Sequence, residues 1–384
     1  MTGQTLRMST RWSSGKTPGS SKDPARTARS CGGDLAGPLR SRPLGHPESS
    51  VGPHFPLCAI LARIGNPHSM TTQSIHDPLK PGAPLLSPLR YPGSKRKLIP
   101  YLKAVLEANQ VEPSLLVEPF AGGASVSLQL AADDPGLTIA LSDADPLVAA
   151  FWKCVFFDTK WLVDAIDSLK ISLASWDRYK SSHPRSTRDR ALKCLFLNRT
   201  SFSGIIATTG GPLGGRSRSS QYPIACRFPK ITIIKRILQA STLADRVAFV
   251  RACDWAESLA MLPTLTPASR PGRVFVYLDP PFYAKAERLY NVFFAHADHV
   301  RLSRALSRLR YPWLLSYDPA PAIVCLYQNN GSAPKRIDML YSLVSSSRKS
   351  RPQELIVTNL RRLPSQSNLP RSGEPSRIAH NRRP

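Results

Sequence analysis

The chain of 384 residues is poor in acidic side chains: it has 26 Asp and Glu against 52 Lys and Arg, and a formal charge of +26 at pH 7. Such an excess of positive charge indicates a polyanionic partner, most often nucleic acid. A basic tail or a coding bias towards arginine would give a similar total. The termini hold only a minor part of the excess, so the region between them is itself basic.

Several sequence features that define other protein classes are missing. The seven cysteines form no Cys-x-x-Cys pair, and their spacing fits neither a zinc site nor a disulfide framework. We therefore expect reduced, mostly buried thiols in a cytoplasmic protein without a bound metal. An apolar run of about 18 residues, which a membrane-spanning helix needs, is absent, and we see no secretory signal. Gly-x-Gly-x-x-Gly is absent too, which argues against a nicotinamide-dependent oxidoreductase.

The two ends of the chain lack a sustained hydrophobic period. Residues 1–69 are rich in Ser, Gly, Pro and Arg, and we predict that they form a disordered basic extension. Met70 precedes the first patterned sequence, so the alternative is that translation starts there and the extension is not made. Residues 364–384 have a similar composition, and we predict a disordered tail.

Between these ends, strand patterns alternate with helix patterns, which is typical of an α/β doubly wound sheet. We predict about seven strands, including Leu115–Glu118, Leu137–Ser142, Val247–Ala252, Val274–Leu278 and Trp313–Tyr317. Arg336–Val344 and Glu354–Asn359 flank a basic turn and are predicted to close the sheet as a hairpin. Early helices are predicted at Ile99–Asn109, Ala124–Ala132 and Leu147–Phe157.

The stretch Ser175–Arg251 interrupts this alternation. It holds fifteen Lys or Arg against three Asp, together with several aromatic residues. Cations suit phosphates, and rings suit bases, so this composition favours contact with nucleic acid. The alternative is a helical subdomain with a solvated basic face.

Two predicted strand ends carry residues suited to a nucleoside. Glu118-Pro-Phe-Ala-Gly-Gly-Ala-Ser125 follows the first strand, and its glycines would let the backbone approach a ligand at an electropositive helix N-terminus. Because many α/β turns are rich in glycine, this loop is a weak signal by itself. Leu141-Ser-Asp-Ala-Asp145 ends the next strand. We interpret Asp143 as an acceptor for ribose hydroxyls and Asp145 as the N-cap of the following helix.

A third motif, Tyr277-Leu-Asp-Pro-Pro-Phe-Tyr283, follows the all-apolar strand and is the most specific of the three. A carboxylate just beyond a parallel strand lies where such sheets bind ligands, and the two prolines stiffen the next backbone steps. Asp279 is therefore suited to accept a hydrogen bond from an amino group, and the aromatic residue after the prolines to stack on an extruded base. Methyl transfer to an amino nitrogen needs no covalent enzyme intermediate, hence no nucleophilic cysteine.

The motifs occur in one order that resembles the Dam-like adenine-specific DNA methyltransferases. The segments that carry the resemblance are Pro88-Leu-Arg-Tyr-Pro-Gly-Ser-Lys-Arg-Lys97, the Pro119–Gly123 loop, Asp143, Asn198-Arg-Thr-Ser-Phe-Ser-Gly204 and Asp279-Pro-Pro-Phe282. The resemblance implies a site-specific enzyme that transfers a methyl group from S-adenosylmethionine to the exocyclic amino group of adenine in DNA. It also implies a Rossmann-like seven-stranded methyltransferase sheet with an inserted, mostly helical target-recognition subdomain.

The resemblance further implies roles for individual residues. The cofactor-binding residues would be Tyr91, Lys95, Phe120, Gly122, Asp143, Asp254 and Asp279. Asp279, with Pro280 and Phe282, would form the catalytic loop between cofactor and target adenine. Asp254 has an alternative role as N-cap of the helix that begins at Trp255. The family usually has Tyr where this chain has Phe282, and a phenyl ring can stack as well.

The same resemblance divides the chain into a cofactor-binding half (88–157), a target-recognition region (158–246) and a catalytic half (247–363). Arg199, Arg216 and Arg218 are the predicted DNA contacts, and the last two lie in a Gly/Ser loop that could enter a groove. The implied partner is double-stranded DNA with a flipped adenine. A cognate restriction endonuclease would be a second partner, and we expect neither a membrane nor a metal.

Two other functions stay open at this point. A methyltransferase for RNA or protein amino groups would use a similar Asp-Pro-Pro loop, although the order of the motifs argues against it. A DNA-binding remnant without catalysis would fit the basic composition. The intact Lys95, Asp143 and Asp279 argue against the remnant.

Overall fold

The computed structural model describes residues 84–91, 93–207, 209–217, 221–265, 271–284, 289–338 and 353–365. The predictions for residues 1–69, for Arg218 and for residues 366–384 lie outside these ranges.

Seven strands in the described residues form one mixed sheet. They are β1 (Leu115–Glu118), β2 (Thr138–Asp143), β3 (Val247–Ala252), β4 (Val274–Leu278), β5 (Trp313–Tyr317), β6 (Lys335–Asp338) and β7 (Gln353–Thr358). The order across the sheet is β3-β2-β1-β4-β5-β7-β6. Strands β1 to β5 pair in parallel, and β7 runs antiparallel to both β5 and β6. The order in which successive strands join the sheet therefore reverses between β1 and β4. This is the switch point at which such sheets bind ligands.

Helices cover both faces of this sheet. They are α1 (Ile99–Ala108), α2 (Ser125–Asp133), α3 (Pro146–Phe157), α4 (Thr159–Ser168), α5 (Leu173–Ser181), α6 (Thr187–Thr200), α7 (Lys230–Ser241), α8 (Trp255–Ala260), α9 (Leu262–Leu265), α10 (His296–Arg308) and α11 (Pro321–Asn329). One hydrophobic core joins the sheet to α1–α4, α6 and α7, and a second joins the other face to α8–α11.

Strand β4 shows why a buried parallel strand is apolar throughout. Phe275 and Tyr277 point into the first core, whereas Val274, Val276 and Leu278 point into the second. Successive side chains of a strand face opposite sides, so a sheet covered on both faces requires apolar residues at every position. All five side chains are fully buried.

The predicted elements agree closely with this fold. Strands β1, β3, β4 and β5 have the predicted bounds, β2 is displaced by one residue, and α1, α2 and α3 differ by no more than one residue at either end. The antiparallel pairing of β6 with β7 confirms that the last two strands pair, while residues 339–352 lie outside the described ranges. The α/β prediction is confirmed.

The segment between β2 and β3 is helical, as predicted, and contains α3 to α7. Helix α3 packs against α6, so this insertion extends the first core instead of standing apart from it. Ser201 forms a single β-bridge with Pro212 and closes a loop after α6.

None of the described helices has the length and apolarity required to cross a membrane. Of the five cysteines in the described residues, Cys154 and Cys194 are buried, Cys253 is half-buried, and Cys226 and Cys325 are exposed. The expectation of mostly buried thiols is therefore wrong for the exposed pair. Both lie on outer surfaces, at the end of the helical insertion and on α11, where no core needs a small apolar side chain.

Candidate active site

A cleft opens at the carboxyl ends of β1, β2 and β4, at the switch point of the sheet. Six of the predicted site residues line it together: Tyr91, Lys95, Phe120, Gly122, Asp143 and Asp279. They come from four separate segments of the chain. Parallel strands end at the same edge of a sheet, and this shared edge is what brings the motifs together.

The glycine loop turns tightly under the ring of Tyr91. Gly122 has φ +43°, and a Cβ atom there would lie 2.8 Å from the ring of Tyr91. Its backbone N–H donates to Asp143 Oδ2 at 2.8 Å, and its carbonyl accepts from the indole of Trp152 at 2.9 Å. Ala124 follows with φ +47° and leads into α2. A side chain at Gly122 would displace Tyr91, so glycine is required by the close approach as well as by the backbone angle.

Asp143 and Asp145 divide the two roles predicted for them. Asp143 lies at the end of β2 and accepts from the backbone N–H groups of Gly122 and Asp145. Burial, with a smaller contribution from Asp145, raises the pKa of Asp143 to about 7. Asp145 caps α3 by accepting from Leu147 N at 2.9 Å. Asp143 thus faces the cleft, and the interpretation of Asp145 as an N-cap is confirmed.

Asp279 lies just beyond β4 and accepts two side-chain hydrogen bonds. Lys95 Nζ donates to Asp279 Oδ1 at 2.6 Å, and the hydroxyl of Ser316, on the neighbouring β5, donates to the same oxygen at 3.2 Å. Burial raises the pKa of Asp279, while Lys95 and Ser316 act in the opposite direction. Pro280 is buried directly after it. The carboxylate is therefore held in one place with one oxygen fully engaged.

Lys95 is the cation that organises this part of the cleft. Its side chain is only 3% exposed, and its Nζ lies 3.8 Å from Glu354 Oε1 on β7. The same Nζ lies 5.5 Å from the ring centre of Phe282. Burial raises the pKa of Glu354 to about 7, against the opposing effect of Lys95. The ammonium group thus lies between two carboxylates, close to Asp279 and farther from Glu354.

The rings of Tyr91 and Tyr290 line the cleft, and that of Phe282 lies beside them. Tyr290 stacks on Tyr91 with ring centres 5.9 Å apart, and its ring centre lies 6.1 Å from that of Phe282. The neighbouring Asn291 donates to Asp145 Oδ2 at 2.8 Å, which connects the segment after the Asp-Pro-Pro loop to the end of β2. Flat apolar faces of this kind suit heterocyclic rings.

Glu118 is a third carboxylate at a strand end. It is 3% exposed at the end of β1 and accepts from both the backbone and the hydroxyl of Ser127. Burial raises its pKa to about 8, so the group is mostly protonated at neutral pH. A neutral carboxyl beside Asp143 and Asp279 avoids a third negative charge at this edge.

Two predicted site residues have structural roles instead. Asp254 caps α8 by accepting from Ala256 N and pairs with Arg301 at 2.8 Å, and it does not line the cleft. The N-cap alternative is the one observed. Arg199 is 4% exposed and donates to the carbonyl of Pro88, which contradicts its assignment as a DNA contact: the last turn of α6 faces the core.

Arg216 remains available for contact with DNA. It lies in the loop after α6 with its side chain 66% exposed, pairs with Asp177 at 2.8 Å and lies over the ring of Trp176. An exposed ion pair of this kind is weak and exchanges readily for another anion.

Comparison with known families agrees with this geometry. Residues 91–211 match the model of the D12 class N6 adenine-specific DNA methyltransferases. Over these residues the chain is similar to this methyltransferase family. The matched segment is less than half of the chain and runs from the Tyr91 motif through the glycine loop and Asp143 to the loop after α6. No curated protein matches the sequence of this chain.

The match ends before β4, so the assignment of Asp279 to this site depends on its position in the fold. Asp279 directly follows β4, the strand next to β1, lies at the same edge as the glycine loop, and forms an ion pair with Lys95 from the matched segment. The predicted enzyme class, an adenine-specific DNA methyltransferase, is therefore confirmed. The ion pair between Lys95 and Asp279 joins the matched segment to the part of the chain beyond it.

Sequence reasoning did not anticipate Glu354, Ser316 or Tyr290. A carboxylate at the start of the otherwise apolar β7 was a signal that could have identified Glu354. The other two had no signal, because their relevance depends on contacts across the sheet. Within the described residues, no cluster of His, Cys, Asp and Glu could hold a metal ion.

Proposed function

We propose that this methyltransferase transfers a methyl group from S-adenosylmethionine to the exocyclic N6 amino group of an adenine in double-stranded DNA. The observation that carries the proposal is the placement of Asp279, which is tied to Lys95 beside Phe282 in the cleft that also contains Gly122 and Asp143. One cleft thus combines groups suited to a nucleoside cofactor with groups suited to an amino-group acceptor.

The residues of the cleft fit the cofactor. The close approach at Gly122 leaves the backbone open beside an aromatic ring, and Asp143 has a carboxylate at the strand end that suits ribose hydroxyls. The ring of Phe120 gives an apolar wall. When bound, S-adenosylmethionine supplies an electrophilic methyl group on a positively charged sulfur. A cleft with several carboxylates and a single lysine among its lining residues favours such a cation.

Asp279 would act on the acceptor nitrogen. The lone pair of an adenine amino group is delocalised into the ring, and a hydrogen bond from the amino group to the carboxylate favours a pyramidal nitrogen whose lone pair is available. As the new N–C bond forms, the bond between the methyl group and the cofactor's sulfur would break and leave a neutral thioether. The nitrogen gains the positive charge and then loses one of its protons. Ionised Asp279 stabilises that charge and is placed to accept the proton.

Lys95 and Ser316 would keep Asp279 effective. Their hydrogen bonds favour the ionised form of a buried carboxylate and fix its orientation. Phe282 presents a ring on which an extruded adenine can stack, and base extrusion is required because the amino group lies inside the duplex. Pro280 restricts the backbone between carboxylate and ring.

The region 158–246 is the proposed target-recognition part, with Arg216 as a DNA contact. Asp254 is not among the proposed cofactor-binding residues, since its carboxylate caps α8 and pairs with Arg301. A cognate restriction endonuclease and a cytoplasmic location stay predictions.

The test is methylation by the purified Asp279→Ala variant, with adenine methylation in DNA read by sequencing and by transfer of labelled methyl groups. We expect a loss of about 100-fold or more, because a transition-state hydrogen bond is removed. Asp245→Ala, at an exposed position outside the cleft, is the control and should retain activity. Wild-type turnover in Asp279→Ala would contradict the mechanism, and a wild-type protein without adenine methylation would contradict the function.

A further inference from the structure

Five arginines lie near one another around the segment that leads into the Tyr91–Lys95 motif, and we call them the arginine row: Arg227, Arg90, Arg199, Arg236 and Arg96. Arg90 lies near Arg227, Arg199 lies near both Arg90 and Arg236, and Arg236 lies near Arg96. The members come from the first motif, from α6, from α7 and from the helical turn Ile224–Arg227. Only the fold brings them together.

The row is held in place by the backbone of residues 87–90. Arg199 donates to Pro88 O, and Arg236 Nη1 donates to Ser87 O at 3.3 Å. Asn198 accepts from Arg90 N at 2.7 Å and donates to Arg90 O at 3.1 Å. These bonds satisfy part of the guanidinium groups of Arg199 and Arg236, whereas those of Arg90 involve only its backbone.

No acidic side chain of the described residues forms an ion pair with the arginine row. Arg90 Nη1 is buried and has no hydrogen-bond partner there. Burial, and then the nearby Arg236 and Arg90, lowers the pKa of Arg199 to about 9, which still leaves it charged at neutral pH. A buried cation such as Arg199 is costly without a counter-ion, and like charges beside it add to the cost, so an anion bound near these arginines would stabilise them.

We propose that the accessible members of the arginine row, Arg96, Arg227, Arg90 and Arg236, bind the phosphate groups of a DNA strand and position the duplex over the cleft, while the buried Arg199 adds only positive potential. The proposal rests on the proposed function and extends it to the place where the DNA backbone is held. Arg90 and Arg96 bracket the Tyr91–Lys95 motif, and Arg199 follows Asn198 at the start of the loop that reaches Arg216. Along the chain, the row thus adjoins both the cleft motif and the segment that leads to the recognition loop.

The chemistry favours a nucleic-acid backbone over an isolated anion. Guanidinium groups bind phosphate oxygens in bidentate fashion, and several in a row match a polymer with regularly repeated charges. Arg96 and Arg227, at the two ends, are exposed and make no hydrogen bond to the described residues, so their donors are available to a ligand. Arg199 contributes positive potential from below.

The test uses the full chain and a fluorescent DNA duplex of random sequence, with binding measured by anisotropy across a range of salt concentrations. The variant Arg96→Gln/Arg227→Gln removes two charges at positions without structural hydrogen bonds. Its control, Arg304→Gln/Arg308→Gln, removes two exposed charges from α10, on the other side of the sheet. Methylation of adenine by the wild-type protein is measured in the same samples.

We expect the first variant to flatten the dependence of log affinity on log salt by roughly two units, close to one for each lost phosphate contact. The control should keep the wild-type slope. A wild-type slope in Arg96→Gln/Arg227→Gln would overturn the proposal while leaving the methyltransferase function intact. If the wild type binds DNA through the row but methylates no adenine, the proposed function would be overturned. The proposal that the row binds phosphate groups would then still stand.

Discussion

The cleft and the arginine row are neighbours along the chain, since Lys95 lines the cleft and Arg96 ends the row, yet their charges are opposite. In the cleft, burial raises the pKa values of Asp143, Asp279 and Glu354. In the row, burial and like charges lower the pKa of Arg199. Each region holds mostly charge of one sign: in the cleft Lys95 offsets only part of the negative charge, and in the row no acidic side chain of the described residues pairs with the arginines.

This difference teaches which ligand each region is built to receive. A cluster of buried carboxylates is relieved by a cationic ligand, as a sulfonium is, and by hydrogen-bond donors such as an amino group. Uncompensated arginines are relieved by phosphates. The large net positive charge of the chain concealed this separation, because a total charge says nothing about where the acidic residues are placed.

The largest effect that would sharpen the comparison is expected at Asp143. Asp143→Asn should weaken cofactor binding by roughly 10- to 100-fold, the range for a hydrogen bond to a charged group, and should leave DNA affinity nearly unchanged. Calorimetric titration with each ligand measures both constants. Asp245→Asn is the matched exposed control. Equal losses for the two ligands would show that the cleft and the DNA surface are not separate.

Lys95 lies between Asp279 in the cleft and Glu354 behind it, and its removal should change a pH profile. Lys95→Met removes the group that lowers the pKa of Asp279, so that pKa should rise and the acid limb of kcat should move to higher pH. A displacement of about one pH unit corresponds to roughly tenfold at a fixed acidic pH. The measurement is kcat against pH at saturating cofactor and DNA.

Lys153→Met, which removes an exposed lysine on α3, serves as the control for this profile. An unchanged acid limb in Lys95→Met would mean that Asp279 is not the group that titrates.

The smallest effect is expected at Arg216, whose exposed pair with Asp177 contributes little to stability. Arg216→Ala should lower the overall rate only a few-fold, but should relax sequence preference at one position by roughly 1–3 kcal/mol if the side chain reads a base. Methylation mapping across a random DNA library separates the two outcomes. A preserved motif and rate would remove this loop from the DNA interface.

The parts of the site that were predictable share one feature: their signal is local. Gly122, Asp143 and Asp279 each follow a short apolar strand, and the position of a residue after a strand is readable from neighbouring residues alone. Asp254 shows the limit of this reasoning, since an acidic residue after β3 fits a ligand contact and a helix cap equally well. The structure decides for the cap, because Ala256 and Arg301 occupy both of its oxygens.

The prediction that Arg199 contacts DNA was wrong for a related reason. The segment of Arg199 is basic and adjoins a loop, which favours exposure, but every residue in the last turn of α6 is buried. Helix α6 has buried residues on most of its sides because it packs between α3, α5 and the first motif. A pattern that is polar along the sequence can thus be buried when several elements surround one helix.

By itself, the sequence determined the alternation of strands and helices, the strand ends that carry Gly122, Asp143 and Asp279, and the enzyme class that these motifs indicate. Apolar periodicity and turn residues are local, so they survive without knowledge of the fold. Only the tertiary structure decided that Lys95 pairs with Asp279, that Glu354 lies behind this pair and that five arginines from four segments form one row. Those contacts join residues far apart in the chain, and their energies depend on burial and on neighbouring charge, which exist only once the sheet and its helices have assembled.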